Sequence, residues 1–409
     1  MSTLISRTAT GRMPVPSQHS YKGGAPARFS DHSLLIAILL LALFGAAMIG
    51  SASIAVADKS YGTPFYFLSR QLLFLAMGCV LGVVTFRIPL SAWEKYGPHL
   101  ILTSLVFLVL VLIPGIGKEV NGSRRWIDLG LFTVQVSETV KLFAIVYLAG
   151  YLVRRGHLVQ TTFGGFFRPL MLICVAAALL LMEPDFGAAV VIVVTSVIML
   201  LVAGVRFVQF IAIVAALCVV GGVLILSEPY RLERFSSFLD PFSDPFNSGF
   251  QLTQSLIAVG SGGFTGVGFG NSVQKLHYLP EGHTDFLFAI LCEELGLIGA
   301  ISLVLLYGFI VWRCFSLAKK SDEQGNRFAG FIALGIGSWI GLQSFINMGV
   351  NLGLLPTKGI TLPLMSYGGS SALVFAVAFS LLLRVEWELR QNNYLALHRR
   401  ESEMSGGAR

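Results

Sequence analysis

The sequence predicts an all-α polytopic membrane protein of ten transmembrane helices, with both termini cytoplasmic and a large extracytoplasmic loop between spans seven and eight. Three observations predict it. Of 409 residues, 55% are hydrophobic and only 12% are charged, about half the charge of a soluble domain. The mean hydropathy is +0.75. Apolar runs close to the ~17–25 residues needed to cross a bilayer recur along the chain. Low charge and abundant bulky side chains exclude a disordered chain despite 44 Gly. The net charge of +7 does not point to nucleic acid, because the basic residues sit in short loops between spans, where they set topology. The five cysteines are odd in number, widely spaced and at lipid depth, which argues against disulfides and a zinc site.

Taken in order, residues 1–33 are rich in Ser, Pro and Gly and basic, which reads as a disordered cytoplasmic arm. The membrane domain follows at 34–385, with spans at 34–56, 66–86, 98–114, 137–153, 169–183, 186–204, 208–226, 286–313, 327–350 and 368–385. Span one ends in Ala55-Val56-Ala57, which resembles a signal-peptidase site, but its run is too long for a signal peptide and it reads as a retained helix. An even span count puts both termini on one side, and 19 of the 29 basic residues share that side, so the positive-inside bias makes it cytoplasmic. Two outer connections are unusual: 115–136, polar and compact, and 227–285, far longer than an ordinary loop. The tail, 386–409, alternates in charge and reads as a short exposed cytoplasmic helix.

Three constellations could carry chemistry. The first is Asn121-Gly-Ser-Arg124-Arg125-Trp126-Ile127 with Ser137, Glu138 and Lys141. Spacings of three and four put Glu138 and Ser137 on the Lys141 face of span four. Ser137 as a helix cap and Trp126 as an interfacial anchor would explain part of this, but not two arginines on the side where they are disfavoured. Paired guanidinium groups suit a pyrophosphate. The second is Tyr278-Leu-Pro-Glu281-Gly-His283-Thr284-Asp285-Phe286, at the entrance to span eight. Thr284 or Asp285 could merely cap that helix. A carboxylate half-buried at that boundary would also hold its proton more tightly, as a general base requires. Glu293 and Glu294 lie about 12 Å deeper at ~1.5 Å per residue, where they need partners. The third is Pro356-Thr-Lys358-Gly-Ile-Thr-Leu-Pro363-Leu-Met-Ser366-Tyr-Gly-Gly-Ser-Ser371, an irregular backbone tolerable only if buried in protein or lining a wet cavity. An ordinary turn with a solvated Lys358 competes with that reading. The glycine run Gly260–Gly270 lacks nucleotide-binding spacing and predicts close approach of backbone to a ligand or neighbouring helix.

These motifs, with Gln135-Val-Ser-Glu138 and Ala258-Val-Gly-Ser-Gly-Gly263, resemble the SEDS family (shape, elongation, division and sporulation) over about 350 residues. Gln274-Lys275-Leu and Pro356-Thr-Lys-Gly look like its cell-division branch rather than its elongation branch. Glu183-Pro-Asp-Phe-Gly departs from the family's common Gln-Pro-Asp-Leu-Gly, and Gly282 stands where Ala or Arg is common. The resemblance implies a peptidoglycan glycosyltransferase of the bacterial inner membrane, polymerising lipid II at the division septum. It implies Asp285 as the essential acid and, as partners, a class B penicillin-binding protein and other division proteins. Arg124, Arg125, Trp126, Glu138, Lys141, Gln254, His283, Lys358 and Ser366 complete the expected substrate-binding set. No cofactor is required by these residues, and dependence on Mg²⁺ or Mn²⁺ is left open. A lipid II flippase is the rival reading, but transporters place charges near the midplane between repeats, and no repeat is evident here. A non-catalytic division scaffold is the third reading.

Overall fold

The computed structural model describes residues 32–120, 123–128, 130, 133–226, 237–247, 249–357 and 359–406; the arm before residue 32 and Lys358 lie outside them. Helices α1 (Ser33–Tyr61), α2 (Tyr66–Arg87) and α3 (Leu90–Leu112) precede a small sheet of β1 (Gly117–Val120), β2 (Ser123–Asp128) and β3 (Thr133–Gln135). Then come α4 (Val136–Thr161), α5 (Phe163–Met182), α6 (Phe186–Val202), α7 (Phe207–Leu226), α8 (Phe250–Gly262), α9 (Leu287–Glu323), α10 (Arg327–Asn351) and α11 (Gly369–Gly406). Each expected span falls on a helix. Seven of the described helices are long and apolar enough to cross a membrane, and α6 and the apolar stretch of α7 are shorter.

Burial sorts the helices. The most apolar windows of α4 and α10 are 78% and 72% buried, against 22% for α2. So α4 and α10 form the centre, packed on each other and on α6, while α2 and α3 turn Leu72, Leu73, Val80, Leu102 and Val106 outward. Exposed apolar rows of that kind are what a lipid-facing surface needs.

Two prolines inside helices show how α4 ties the bundle together. Proline lacks an N–H and so strands the carbonyl four residues earlier. In α3, Pro98 strands Glu94, whose carbonyl accepts from Arg154 Nη1 at 3.3 Å. In α5, Pro169 strands Gly165, whose carbonyl accepts from the Tyr151 hydroxyl at 2.7 Å. Both donors lie on α4. For the same reason α3 begins at Leu90, eight residues before the expected start of span three: the proline is accommodated rather than terminating the helix.

The expectation of an all-α chain needs correcting at 115–136. An antiparallel sheet in the order β1-β2-β3 occupies that connection, pairing Val120 with Ser123, Trp126 with Lys118 and Gln135, and Ile127 with Val134. Two residues, Asn121-Gly122, separate β1 from β2 in sequence, which is the hairpin signal that helix-period reading passes over. The helix expected after 385 is not separate either: α11 runs through to Gly406, and Val385, Glu386 and Leu389 are buried.

The glycine run behaves as expected of close-approach glycines. α9 breaks at Gly296 (φ 63°, ψ −159°), which frees main-chain groups on either side. The segment after α8 takes them: Val267 and Gly268 donate to Glu293 and Glu294 carbonyls at 2.9 and 3.1 Å, and Leu297 and Ile298 donate to Gly263 and Phe264. A Cβ at Gly262 would collide with the Cys292 carbonyl, and one at Gly266 with that of Glu294.

Candidate active site

A stripe of α10 organises the site. Trp339, Gln343, Asn347 and Asn351 recur every four residues, so they share one face, and all four are buried. Gln343 Nε2 donates to the Thr361 carbonyl at 2.9 Å, and Asn347 Nδ2 to that of Ile360 at 2.6 Å. This binds the irregular 356–362 segment to the helix through its own backbone, as unpaired main chain at membrane depth requires.

At one end of the stripe stands Asp285. Its backbone carbonyl accepts from Asn347 Nδ2 at 2.8 Å and Asn351 Nδ2 at 3.0 Å. The residue bounding α9 is Phe286, which makes no side-chain cap, and Asn351 Oδ1 instead accepts from the Ala289 amide at 3.0 Å. The capping role open to Thr284 or Asp285 is thus filled from α10. Thr284 Oγ1 donates to the Glu281 carboxylate at 2.6 Å. Asp285 Oδ2 lies 3.2 Å from where a Cβ at Gly359 would begin, so the glycine lets the backbone of 359–361 come close to the carboxylate.

At the other end lies Lys141, 3% exposed. Its ammonium donates to Glu138 Oε1 and to Gln343 Oε1, each at 2.8 Å, and stands 5.2 Å from the centre of the Trp339 ring. Trp339 Nε1 donates to the same Gln343 oxygen at 2.8 Å. A buried ammonium needs such partners. Gln343 therefore links the Lys141–Glu138 pair to the segment that comes close to Asp285, about 12 Å along α10 from Asn351 at ~1.5 Å per residue. α4 itself is bounded by Gln135, not capped by Ser137. Gln135 donates from its amide nitrogen to Ser137 Oγ and Asp185, and its backbone N–H donates to Ser370 Oγ, which in turn donates to the Thr133 carbonyl. Ile360 packs where a side chain at Gly187 would lie, which brings the α5–α6 turn to the same end of the bundle.

The two neighbouring arginines do not act on one partner. Successive side chains of a strand point to opposite faces. Arg124 makes an exposed ion pair with Glu119 at 3.0 Å, whereas Arg125 Nε and Nη2 donate to the carbonyls of Glu183 and Pro184 at 2.9 and 2.6 Å. Trp126 is half-buried in β2. His283 is buried between Phe67 (ring centres 4.4 Å apart) and Tyr367 (5.8 Å), and burial lowers its proton affinity against the opposing pull of Glu281. Ser366 Oγ accepts from the Leu362 amide at 3.0 Å and so braces the 362–366 turn. Gln254 is half-buried on α8. Glu293 and Glu294 are held by structure. Glu293 accepts from the Ser272 hydroxyl and the Val273 and Gln274 amides, and Glu294 from Ser51 at 2.6 Å and Lys275 at 2.8 Å.

Sequence reading missed Gln343, Asn347 and Asn351. Three amides at four-residue spacing in an otherwise apolar span were the available signal.

Comparison with known proteins bears on this arrangement. The family model described as cell cycle protein, covering FtsW, RodA and SpoVE, matches residues 31–391. A protein of Thioalkalivibrio sulfidiphilus named probable peptidoglycan glycosyltransferase FtsW is 51% identical over 369 residues, spanning 90% of this chain and 92% of its own. A Halorhodospira halophila protein of the same name is 49% identical over 88% of this chain and 91% of its own. Among solved structures, a chain of a peptidoglycan synthase complex that coordinates polymerization and crosslinking superposes with TM-score 0.71 at 29% identity, covering 87% of this chain and 97% of that one. The rod shape determining protein RodA of Thermus thermophilus gives TM-score 0.64 at 27% identity, covering 87% and 96%.

Proposed function

The chain belongs to the FtsW, RodA and SpoVE family of cell cycle proteins, the SEDS family, and from that premise we propose that it polymerises lipid II at the division septum with Asp285 as general base. It is an FtsW-like peptidoglycan glycosyltransferase and a multi-pass membrane protein. The observation that carries the assignment to Asp285 is its placement: Asn347 and Asn351 grip its carbonyl, and its Oδ2 lies against Gly359 of the segment that Asn347 and Gln343 hold to α10.

In this reading the Asp285 carboxylate takes the proton of the acceptor sugar hydroxyl as that oxygen bonds to the donor's anomeric carbon. The bond from that carbon to phosphate breaks, and the polyprenyl pyrophosphate leaves with its electron pair. Arg125, held from β2 to the α5–α6 turn, and Lys358, by its place in the sequence between Thr357 and Gly359, meet the departing charge. Trp126, Gln254, His283 and Ser366 stand around the reacting groups and Glu138 with Lys141 lies beneath them, while Arg124 keeps to its exposed pair with Glu119. Holding two lipid-anchored sugars in register supplies several kcal/mol of the barrier, and the base supplies a further ~10²–10⁴-fold. Among the described residues no three His, Cys, Asp or Glu come together as a metal site. Mg²⁺ or Mn²⁺ would therefore be held by one or two carboxylates with the substrate's phosphates, a usual arrangement for Mg²⁺.

Ten spans with both termini in the cytoplasm complete the reading, supported by the distribution of basic residues. The partner is a class B penicillin-binding protein, supported by the likeness to a chain of a complex that also crosslinks. The test is lipid II polymerisation by purified protein in detergent, with and without that partner. Glycan strands are expected, and their loss in Asp285→Asn. Near-normal polymer from that variant would remove Asp285 from the mechanism. Translocation in sealed vesicles without polymer under any of these conditions would favour transport.

A further inference from the structure

The α5–α6 turn holds an acid that the reaction does not use. Glu183 is fully buried, and neither of its carboxyl oxygens has a hydrogen-bond partner. Asp185, two residues on, is buried but occupied. Its Oδ1 accepts from the Ala188 amide at 3.1 Å at the start of α6, and its Oδ2 accepts from Gln135 at 3.4 Å. Arg125 reaches the same turn from β2, with Nε and Nη2 donating to the main-chain carbonyls of Glu183 and Pro184. A guanidinium carries five N–H donors in a rigid fork. Two are spent on the backbone here, which fixes the guanidinium on this turn and leaves three N–H groups for other partners. Among the described residues, the charged groups that act on Glu183 are Asp185 on its own turn and Arg125 from β2.

We propose that Glu183 is a protonation-controlled counter-charge to Arg125: neutral, it leaves the guanidinium to the donor's pyrophosphate; ionised, it cancels that charge and weakens donor binding. The inference rests on Arg125 meeting the pyrophosphate. A buried carboxylate without hydrogen bonds is costly to ionise. Burial first, then the Asp185 charge, push the Glu183 carboxyl up to about 8 against the opposing pull of Arg125. At neutral pH the group holds its proton, and as pH rises past that value it releases the proton to solvent. The new carboxylate then stands beside Arg125, and the pair presents far less positive charge to a dianion. Glu183→Gln replaces the acid by its uncharged isostere and so removes the titration.

The experiment is steady-state lipid II polymerisation by the purified full-length chain in detergent from pH 6.5 to 9.5, for wild type, E183Q and R125Q. The wild-type KM is expected to rise several-fold with a midpoint near pH 8, and E183Q to lose that rise. A wild-type-like KM profile in E183Q would overturn the inference. R125Q with an unaltered KM at pH 7 would overturn the prior assignment of Arg125. R125Q with a raised KM, alongside a wild-type-like profile in E183Q, would remove Glu183 alone. Binding of fluorescent lipid II over the same pH range reads the same curve without turnover if either variant is slow.

Discussion

Two pairs of buried acids in this protein have opposite fates. Glu293 and Glu294, on the first half of α9, meet two serine hydroxyls, two backbone amides and the Lys275 ammonium. Glu183 and Asp185, on the α5–α6 turn, share one capping bond, one long bond to Gln135, and a carboxyl with no partner. The first pair is a clasp: it ties the segment after α8 to the break in α9 and to α1. The second sits beside an arginine at the end of the bundle where Asp285 stands. Deep burial alone does not distinguish a structural acid from a functional one: Glu294 has one oxygen bound by Ser51 and Lys275 and one without a hydrogen bond, whereas neither oxygen of Glu183 has a partner.

The sharpest ways to break that comparison are to neutralise Asp285, at the second pair's end of the bundle, and to strand one member of the first pair. Asp285→Asn should cut polymerisation by about 10²–10⁴-fold, the usual worth of general-base assistance, with the thermal midpoint held near wild type. Its carbonyl, not its carboxylate, accepts from Asn347 and Asn351, so the fold does not lose that anchor. A large fall in melting temperature with activity proportional to folded protein would instead make Asp285 one more clasp.

On the clasp side the loss should appear as stability. Lys275→Met leaves Glu294, fully buried, without its cation. Stranding one member of a buried ion pair costs about 3–5 kcal/mol. Thermal unfolding in detergent should register a large drop, partly recovered in Lys275→Met/Glu294→Gln because the stranded charge is gone. Unchanged stability with lost turnover would move Lys275 from scaffold to site.

How much of this was legible beforehand follows from the range of each signal. Spans, the close-approach glycines and the Glu138–Lys141 pair depend on composition and on three- or four-residue spacing, which a sequence displays directly. The stripe on α10 escapes a sequence reading because Gln343, Asn347 and Asn351 acquire meaning only from carbonyls 13 to 66 residues away, brought there by tertiary packing. Arg124 and Arg125 looked like a clamp because they are adjacent. Only the strand, signalled by Asn121-Gly122, sends them to different partners.

Glu183 offers a milder test, a slope with pH. Its folded carboxyl titrates at about 8 against an ordinary 4.5. Between those values the folded chain keeps a proton that the unfolded chain has lost, so stability falls as pH rises through the window and levels off above it. The limiting slope is about 1.4 kcal/mol per pH unit for one group. Glu183→Gln should therefore gain melting temperature over wild type as pH goes from 5 to 8, and gain no more beyond. Parallel curves would show that Glu183 is ionised or solvated throughout, and the contrast with Glu293 and Glu294 would lose its basis.

The smallest effect belongs to the arginines of β2. Arg124 pairs with Glu119 while both side chains remain about half exposed, 41% and 53%. Such pairs contribute about 0–1 kcal/mol and are screened by salt. Arg124→Lys retains the charge at an exposed site and should shift the melting temperature little and the KM for lipid II less than twofold. Arg125→Lys keeps the charge as well, but an ammonium cannot span the carbonyls of Glu183 and Pro184 as the fork does. The residue would release the turn and lose its fixed place, raising KM by about tenfold, the equivalent of ~1.4 kcal/mol. The two substitutions are chemically identical and one residue apart, so any difference reports the face of the strand each side chain occupies. Equal KM values would show that the pyrophosphate is met elsewhere, and that the unsatisfied turn beside Arg125 has no part in binding the donor.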